Sequence, residues 1–284
     1  MSLQIKMTLL EVLQSTTGYF TKHKIESPRL NAEHLIAHAL KMSRLELYLQ
    51  FETRLNEQEL AQLRELVKRR AQGEPLQHLL GTVEFCGQTF LIDKRALVPR
   101  PETEELVEFL KSQISNPKVQ ILDVGTGSGV IALSLAMEFP KAEVLAVDIS
   151  DEALALAREN AAGLGLHERV RFQKGDLLEN LTERFDLIVA NLPYVSMNDR
   201  HLLAREVLHD PEVALFAGPT GDELVRRLIE QATGHLHSGG LLALEIGINQ
   251  GERLTELLRQ KNYHDIEAKK DYSGISRFLV ARYG

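Results

Sequence analysis

Residues 123–129 read Asp123-Val124-Gly125-Thr126-Gly127-Ser128-Gly129, between the apolar pair Ile121-Leu122 and an apolar run that begins at Val130. An apolar strand, a glycine-rich turn and a helix in this order are typical of the first unit of a doubly wound α/β sheet. The glycines allow a tight turn and let a ligand approach the backbone, and the start of the helix offers unpaired N–H groups. The segment therefore predicts both a fold class and a ligand site.

The alternation of strands and helices continues towards the C-terminus. Strand-like apolar runs lie at 143–147, 170–172, 186–190 and 241–246. Ser150 is suited to cap a helix that begins at Asp151. Such units predict an α/β fold with a doubly wound, mostly parallel, Rossmann-like sheet. Two further runs, at 265–269 and 277–281, predict an antiparallel hairpin at one edge of the sheet.

The N-terminal part of the chain has a helical pattern instead. Leu60, Leu63 and Leu66 share one face of a helix, and a second helix is predicted to open at Asn31. Gly73-Glu74-Pro75 is expected to end the helical stretch. We therefore predict a small helical domain at 1–75, a hairpin connection at 76–98 and the α/β domain at 99–284.

The composition is that of an ordinary globular protein, with 284 residues, 44% hydrophobic and 26% charged. Residues 1–7 lack the apolar core of a secretory signal, and no apolar run of about 18 residues predicts a membrane span. Cys86, the single cysteine, is expected to be buried, and a cytoplasmic location fits a chain without disulfides. A net charge of −7 weakens a nucleic-acid-binding hypothesis. No spacing of metal ligands is present, so no metal is predicted.

Asp148 ends the strand after the glycine turn, where an acid can accept hydrogen bonds from both hydroxyls of a ribose. Dinucleotide sites usually show G-x-G-x-x-G, whereas the third glycine here comes one residue early. Asp123 instead suits the ammonium group of S-adenosyl-L-methionine. We favour S-adenosyl-L-methionine over a nicotinamide or flavin nucleotide, and over a glycine turn without a ligand.

Asp176 and Leu177 follow the third strand, beside the expected position of the adenine. Asp176 could accept a hydrogen bond from the exocyclic amine, or it could cap the next turn. The predicted cofactor contacts are Asp123, Gly125, Thr126, Gly127, Ser128, Gly129, Asp148, Ile149, Asp176, Leu177 and Asn191.

A second motif, Asn191-Leu192-Pro193-Tyr194, follows a buried-looking strand. The side-chain oxygen of Asn191 and the carbonyl of Leu192 can accept both N–H bonds of a planar NH2 group. Pro193 fixes the turn, and Tyr194 can stack on the acceptor group. The motif indicates methyl transfer to an amide or an exocyclic amine. The alternative is a plain turn at the end of a strand.

With these residues the chain resembles the release-factor glutamine methyltransferases, the PrmC/HemK family, over nearly its full length. The matching segments are Gly73-Glu74-Pro75, Val98-Pro99-Arg100-Pro101-Glu102-Thr103-Glu104, 123–129, Asp148, the tetrapeptide and Leu244-Glu245-Ile246-Gly247. The Pro-Arg-Pro-Glu-Thr-Glu segment is the most specific. Nucleic-acid amine methyltransferases share the tetrapeptide but are not expected to carry that segment.

The resemblance implies that the substrate is the glutamine of the Gly-Gly-Gln motif in class 1 peptide chain release factors. The products would be N5-methylglutamine and S-adenosyl-L-homocysteine. Asn191, Pro193 and Tyr194 would be catalytic, and Asn191, Leu192, Pro193, Tyr194 and Arg100 would bind the substrate. The family tetrapeptide is usually Asn-Pro-Pro-Tyr. Because only the backbone carbonyl is needed at Leu192, function is expected to survive this departure.

Several alternatives remain open at this point. Arg100 could anchor substrate, or it could pair with Glu102 or Glu104. The basic cluster 68–70 is either a solvated helix end or a contact with the acceptor protein. The helical domain is expected to recognise the substrate, and the protein is expected to be a monomer that binds neither membrane nor nucleic acid. The competing functions are an N6-adenine-type methyltransferase acting on a flipped base, and a module that binds cofactor without transfer.

Overall fold

The computed structural model describes residues 7–284, so residues 1–6, which belong to the stretch interpreted as lacking a secretory signal, lie outside the described residues. The chain divides into two compact units. One contains the chain up to Thr82 together with Ala204–His209, and the other contains Val83–Leu203 and Asp210–Gly284. The functional division at 1–75, 76–98 and 99–284 stays a prediction. No helix within 7–284 has both the length and the apolar character that a membrane span needs.

The first unit is helical, as the sequence predicts. Its helices are α1 (Leu9–Lys22), α2 (Pro28–Leu40), α3 (Arg44–Leu49), α4 (Glu57–Ala71) and α5 (Leu76–Leu80). Three of them begin with capping boxes, at Thr8, Ser43 and Asn56. Leu60 and Leu63 lie in the core, whereas Leu66 is only partly buried against it.

Three details of the helical unit differ from the prediction. Helix α2 begins at Pro28 rather than Asn31, because proline is well suited to the first helical turn. The Gly73-Glu74-Pro75 segment does follow the end of α4 at Ala71, but a further short helix, α5, begins directly after Pro75. The basic cluster 68–70 is not a solvated helix end throughout: Arg70 is buried and donates hydrogen bonds to Asn31 at 2.7 Å and to Glu206 at 2.6 Å.

Strands β1 (Thr82–Phe85) and β2 (Gln88–Leu91) pair as a hairpin, which confirms the predicted pairing, and all of it except Thr82 belongs to the second unit. Its turn is formed by Cys86 and Gly87, both at positive φ. Cys86 is half-buried rather than fully buried, because it occupies that turn. The Asn160 side chain binds both the N–H and the carbonyl of Leu91.

The remaining elements build a seven-stranded sheet with flanking helices, in agreement with the predicted fold class. The strands are β3 (Gln120–Val124), β4 (Glu143–Asp148), β5 (Val170–Lys174), β6 (Phe185–Asn191), β7 (Leu236–Glu245), β8 (Tyr263–Lys270) and β9 (Ser276–Tyr283). The helices are α6 (Pro101–Gln113), α7 (Val130–Glu138), α8 (Asp151–Gly163), α9 (Glu212–Leu215), α10 (Glu223–Ala232) and α11 (Gly251–Gln260). Short 3-10 helices lie at Met197–Leu202 and Val207–His209.

The strand order is β5-β4-β3-β6-β7-β9-β8. Strands β3 to β7 are parallel, and β9 runs antiparallel to both β7 and β8, as the edge-hairpin prediction requires. Apolar clusters cover both faces of the sheet, which explains why the central strands β3, β4 and β6 are mostly apolar. Strands β3 and β6 are neighbours although they are not consecutive, so the loops that follow them meet at one edge.

Candidate active site

A cavity of about 260 Å³ lies at the carboxyl end of the parallel strands. It is placed where β3 and β6 lie side by side, which is the position at which open α/β sheets bind ligands. Val124 of β3 pairs with Ala190 of β6, so that Gly125 and Asn191 follow at the same level. The glycine turn and the tetrapeptide therefore form facing walls of one cavity.

Backbone hydrogen bonds and two acids hold the glycine turn in shape. The N–H groups of Gly125 and Thr126 donate to the carbonyl of Val147, at 2.8 and 3.0 Å. Asp123 accepts from the Thr126 hydroxyl at 2.7 Å and from the Ala132 N–H at 3.1 Å. Gly127 donates its N–H to Asp148 at 2.9 Å.

Asp123 lies beneath the turn rather than on the cavity wall. Its side chain is 0% exposed, and its Oδ1 atom is buried with no hydrogen-bond partner among the described residues. Burial raises the pKa of Asp123 to about 7. The structure thus gives Asp123 an observed role, which is to shape the turn, and leaves direct contact with a ligand ammonium as a prediction.

Asp148 ends β4 and lines the cavity, as expected for an acid that binds a ribose. One carboxylate oxygen accepts from Gly127 and the other from the Ser150 N–H at 2.9 Å. Each oxygen retains lone-pair capacity, so both can accept a further hydrogen bond from a ligand. Ile149 is 51% exposed beside it and offers an apolar surface to the cavity.

The far wall contains Asp176 and Leu177. Asp176 pairs with Arg227 of α10 at 3.0 Å. The two residues are 51 positions apart, so no local pattern indicates this partner. Leu177 is buried and lines the cavity with a positive φ of 55°. Acceptance of an adenine amine by Asp176 stays a prediction, and the pairing with Arg227 fixes the position of its carboxylate.

The tetrapeptide begins at the last residue of β6. Asn191 Nδ2 donates to the hydroxyl of Thr103 at 3.0 Å, and that hydroxyl donates to Glu245 at 2.7 Å. Glu245 is the direct partner of Asn191 in the β6–β7 pairing. Because the amide nitrogen of Asn191 is engaged, its Oδ1 atom remains for a ligand. Thr103 and Glu245 lie in family-specific segments, but the sequence assigned neither of them a role.

Leu192 and Pro193 also line the cavity, whereas Tyr194 is outside the set of lining residues. Leu192 is buried in the core, and a Cβ atom at Gly125 would lie 2.8 Å from its Cδ2. Glycine is therefore required at 125 by both its φ of +72° and the proximity of Leu192. The Leu192 side chain is therefore tightly packed, although the sequence analysis predicted a role only for its backbone carbonyl.

Tyr194 is half-buried, next to the cavity. Its hydroxyl lies 3.5 Å from Glu245, and the guanidinium of Arg277 lies 6.0 Å from its ring centroid. Burial raises the pKa of Tyr194 to about 12, so the hydroxyl stays protonated at neutral pH. Burial likewise raises the pKa of Glu245 to about 7. The predicted stacking of Tyr194 on the acceptor group stays a prediction.

Arg100 precedes α6 as its N-cap residue. It pairs with the buried Asp210 at 2.9 Å, which corrects the expected alternative of a partner at Glu102 or Glu104. Asp210 also accepts from the backbone N–H of Val98 at 3.2 Å. Glu104 instead accepts from the N–H of Cys86 at 2.9 Å. Arg100 is outside the set of lining residues, and its contact with substrate stays a prediction.

Most of the predicted cofactor contacts meet at this one cavity. Those on its wall are Gly125, Thr126, Gly127, Ser128, Asp148, Ile149, Asp176, Leu177 and Asn191. Asp123 and Gly129 are the two that do not line it. A Cβ atom at Gly129 would lie 3.1 Å from Ala157, so this glycine serves the packing of the turn on α8.

Comparison with known proteins matches both parts of the chain. The family model for the PrmC N-terminal domain matches residues 11–81, and the model for the methyltransferase small domain matches residues 101–219. A solved ribosomal protein L11 methylase from Lactobacillus delbrueckii subsp. bulgaricus has a TM-score of 0.50 and 26% sequence identity, covering 65% of this chain and 81% of its own.

Curated relatives match almost end to end. The release factor glutamine methyltransferase of Geobacter sulfurreducens is 40% identical over 279 residues, which are 98% of this chain and 97% of the relative. The protein of the same name from Escherichia coli is 38% identical over 259 residues, or 91% of this chain and 93% of its own length. With the glycine turn and the tetrapeptide facing each other across one cavity, and with relatives at this identity along both units, the chain belongs to the family of release factor glutamine methyltransferases.

Proposed function

We propose that this protein transfers the methyl group of S-adenosyl-L-methionine to the side-chain amide nitrogen N5 of the glutamine in the Gly-Gly-Gln motif of class 1 peptide chain release factors. The observation that carries the proposal is the position of Asn191, which faces the glycine turn across the cavity with its amide nitrogen engaged by Thr103. Membership of the family favours this substrate over a nucleic-acid base, and so does the net charge of −7.

The residues around the cavity fit S-adenosyl-L-methionine. The turn at Gly125 leaves no room for a side chain, the Asp123 Oδ1 atom is buried without a partner among the described residues, and Asp148 can accept two more hydrogen bonds. Asp148 would hold the ribose, and Ile149 and Leu177 would enclose the adenine. When bound, the cofactor supplies a methyl group on a positively charged sulfur, and S-adenosyl-L-homocysteine remains after transfer.

The protein assists a poor nucleophile, because the lone pair of an amide nitrogen is delocalised into its carbonyl. Asn191 Oδ1 and the Leu192 carbonyl accept the two N–H bonds and orient the nitrogen. Positive charge develops on that nitrogen during transfer, so these two acceptors bind the transition state more tightly than the ground state. The nitrogen then loses its proton readily, and no general base is needed beforehand.

A labelling experiment tests the proposal. The protein is incubated with methyl-labelled S-adenosyl-L-methionine and a class 1 release factor, or the same factor with Gln→Ala in its Gly-Gly-Gln motif. We expect label in the first factor only. Label in both factors, or label in added nucleic acid and in neither factor, would refute the proposed substrate. The same proposal includes a cytoplasmic location, where translation occurs, and a monomeric state, which sedimentation tests.

A further inference from the structure

Two buried polar side chains, Thr103 and Glu245, lie behind Asn191. Asn191 Nδ2 donates to Thr103 Oγ1 at 3.0 Å, and Thr103 Oγ1 donates to Glu245 Oε2 at 2.7 Å. Thr103 is 2% exposed and Glu245 is 1% exposed. Thr103 belongs to the first turn of α6 and Glu245 ends β7, so three separate elements meet at these hydrogen bonds.

The direction of each hydrogen bond follows from the chemistry of the groups. An ionised carboxylate can only accept, so the single hydroxyl proton of Thr103 is directed to Glu245. The oxygen of Thr103 can then only accept from Asn191, which requires the NH2 side of the amide to face Thr103. The carbonyl side of Asn191, an acceptor, is thereby the side presented to the substrate.

We propose that Thr103, held by Glu245, is a positioning residue that fixes the orientation of the Asn191 amide and so selects a substrate group that donates N–H bonds. This inference rests on the proposed function, because the orientation of the Asn191 amide would determine whether the site prefers glutamine over glutamate. A reversed Asn191 amide presents N–H donors to the substrate. Those donors repel an NH2 group and suit a carboxylate.

The ionisation state of Glu245 controls which way the Thr103 hydroxyl donates. A protonated Glu245 can donate to Thr103, which allows the hydroxyl to donate to Asn191 and reverses the amide. The groups that face Glu245 are Arg277 of β9, Glu102 of α6 and the Tyr194 hydroxyl. Arg277 favours the carboxylate, Glu102 opposes it, and burial raises the pKa of Glu245 to about 7. Selection of glutamine should therefore strengthen as the pH rises through neutrality.

The test compares Thr103→Val, which removes the hydroxyl at similar volume, with Thr103→Ser, which keeps it. Ser134→Ala removes another buried hydroxyl, on α7 and away from the cavity wall, as a control. Thr103→Val should lower kcat/KM for the release factor by about 10- to 100-fold while S-adenosyl-L-methionine binds as before. Thr103→Ser and Ser134→Ala should stay within about threefold of the wild type.

A second readout reports selectivity directly. A release factor with Gln→Glu in the Gly-Gly-Gln motif should compete with the normal factor about tenfold better in Thr103→Val than in the wild type, a change that a general loss of packing does not produce. Unchanged selectivity, or an equal loss of kcat/KM in Thr103→Ser, overturns the positioning role. If the wild type labels no release factor, the proposed function itself fails.

A pH profile decides the question if Thr103→Val does not fold. In the wild type, kcat/KM should rise with pH through an ionisation near pH 7, following the raised pKa of Glu245. Glu245→Gln keeps an acceptor for Thr103 at every pH and should lose this rise. The same rise in Glu245→Gln overturns the inference.

Discussion

The side chain of Gln250 holds the backbone of Tyr194, because Gln250 Nε2 donates to the Tyr194 carbonyl at 3.1 Å. The same nitrogen donates to the Gly221 carbonyl at 2.9 Å, and the Gln250 oxygen accepts from the Gly247 N–H at 2.8 Å. Gln250 is buried, and so are its hydrogen bonds to the backbone of Gly221 and Gly247. One side chain thus anchors the last residue of the tetrapeptide to the loop after β7.

Replacing Gln250 by leucine should lower the free energy of unfolding by roughly 2–4 kcal/mol, since buried carbonyl and N–H groups lose their partner. It should also reduce kcat, because Tyr194 is no longer held. Urea unfolding and single-turnover labelling measure the two effects. Gln260→Leu, at an exposed position of α11, is the matched control. A Gln250→Leu variant as stable as this control would contradict the anchoring role.

Gly221 and Gly274 provide a matched pair, because both have a φ of +82°. Alanine at either position is strained by about 1 kcal/mol. Only at Gly221 would the new Cβ atom also lie 2.7 Å from the Tyr194 carbonyl oxygen and 2.9 Å from the Ser196 nitrogen. Gly221→Ala should therefore be the less stable variant and should lose activity, whereas Gly274→Ala should keep it. Equal thermal unfolding and equal rates would refute the clash.

Asn191→Ala should reduce methyl transfer by about 100-fold or more, because one of the two acceptors for the substrate amide is removed. The affinity for S-adenosyl-L-methionine should change little, since most of the cavity wall is untouched. Calorimetry measures the affinity, and labelling of the release factor measures transfer. A parallel loss of both would assign Asn191 to cofactor binding alone.

Leu192→Ala should destabilise the protein by roughly 2–4 kcal/mol, the usual cost of truncating a buried leucine. Leu192→Met nearly conserves volume and should cost less than about 1.5 kcal/mol. Chemical unfolding measures the free energy of unfolding of both variants, and a larger loss in Leu192→Ala shows that the packing of this side chain stabilises the protein. Equal stability of Leu192→Ala and the wild type would restore the view that only the carbonyl matters at this position.

The stability should fall as the pH rises through neutrality, on account of the buried acids. The pKa of Glu245 is raised from 4.5 to about 7 in the folded protein. The stability that proton binding by Glu245 adds to the folded state is therefore fully present below pH 4.5. It is lost as the pH rises through 7, which lowers the free energy of unfolding by an amount on the order of 3 kcal/mol. Asp123 acts in the same direction. Urea unfolding at pH 5 and pH 8 measures the change in the free energy of unfolding, and this change should be smaller in Glu245→Gln than in the wild type. An equal change in both proteins would contradict the contribution of Glu245.

The parts of the site with a local signal could be predicted from the sequence. The glycine turn, Asp148 and the tetrapeptide each depend on neighbouring residues, and the fold follows from apolar periodicity. Thr103, Glu245 and Gln250 could not be assigned in this way, because their contacts depend on how distant elements pack. Asn191 and Thr103 are 88 positions apart and meet only when α6 lies over the ends of β6 and β7.

Charge patterns misled the sequence interpretation for the same reason. Arg70 is in the last turn of α4, where a cation normally points into water. Its actual partners, Asn31 and Glu206, come from segments 39 and 136 positions away. Arg100 likewise pairs with Asp210 rather than with an acid of its own helix. Local charge alone does not show whether a helix end is covered.

The contact between Gly125 and Leu192 makes these two positions interdependent. A side chain at 125 would meet the Leu192 Cδ2 atom in addition to the strain of a φ of +72°, so a smaller side chain at 192 would remove only one of these two obstacles. Because one position belongs to the glycine turn and the other to the tetrapeptide, a shift of either loop would press on the other. In the proposed reaction, this close packing would keep the cavity wall formed by the glycine turn at a fixed spacing from the wall formed by the tetrapeptide.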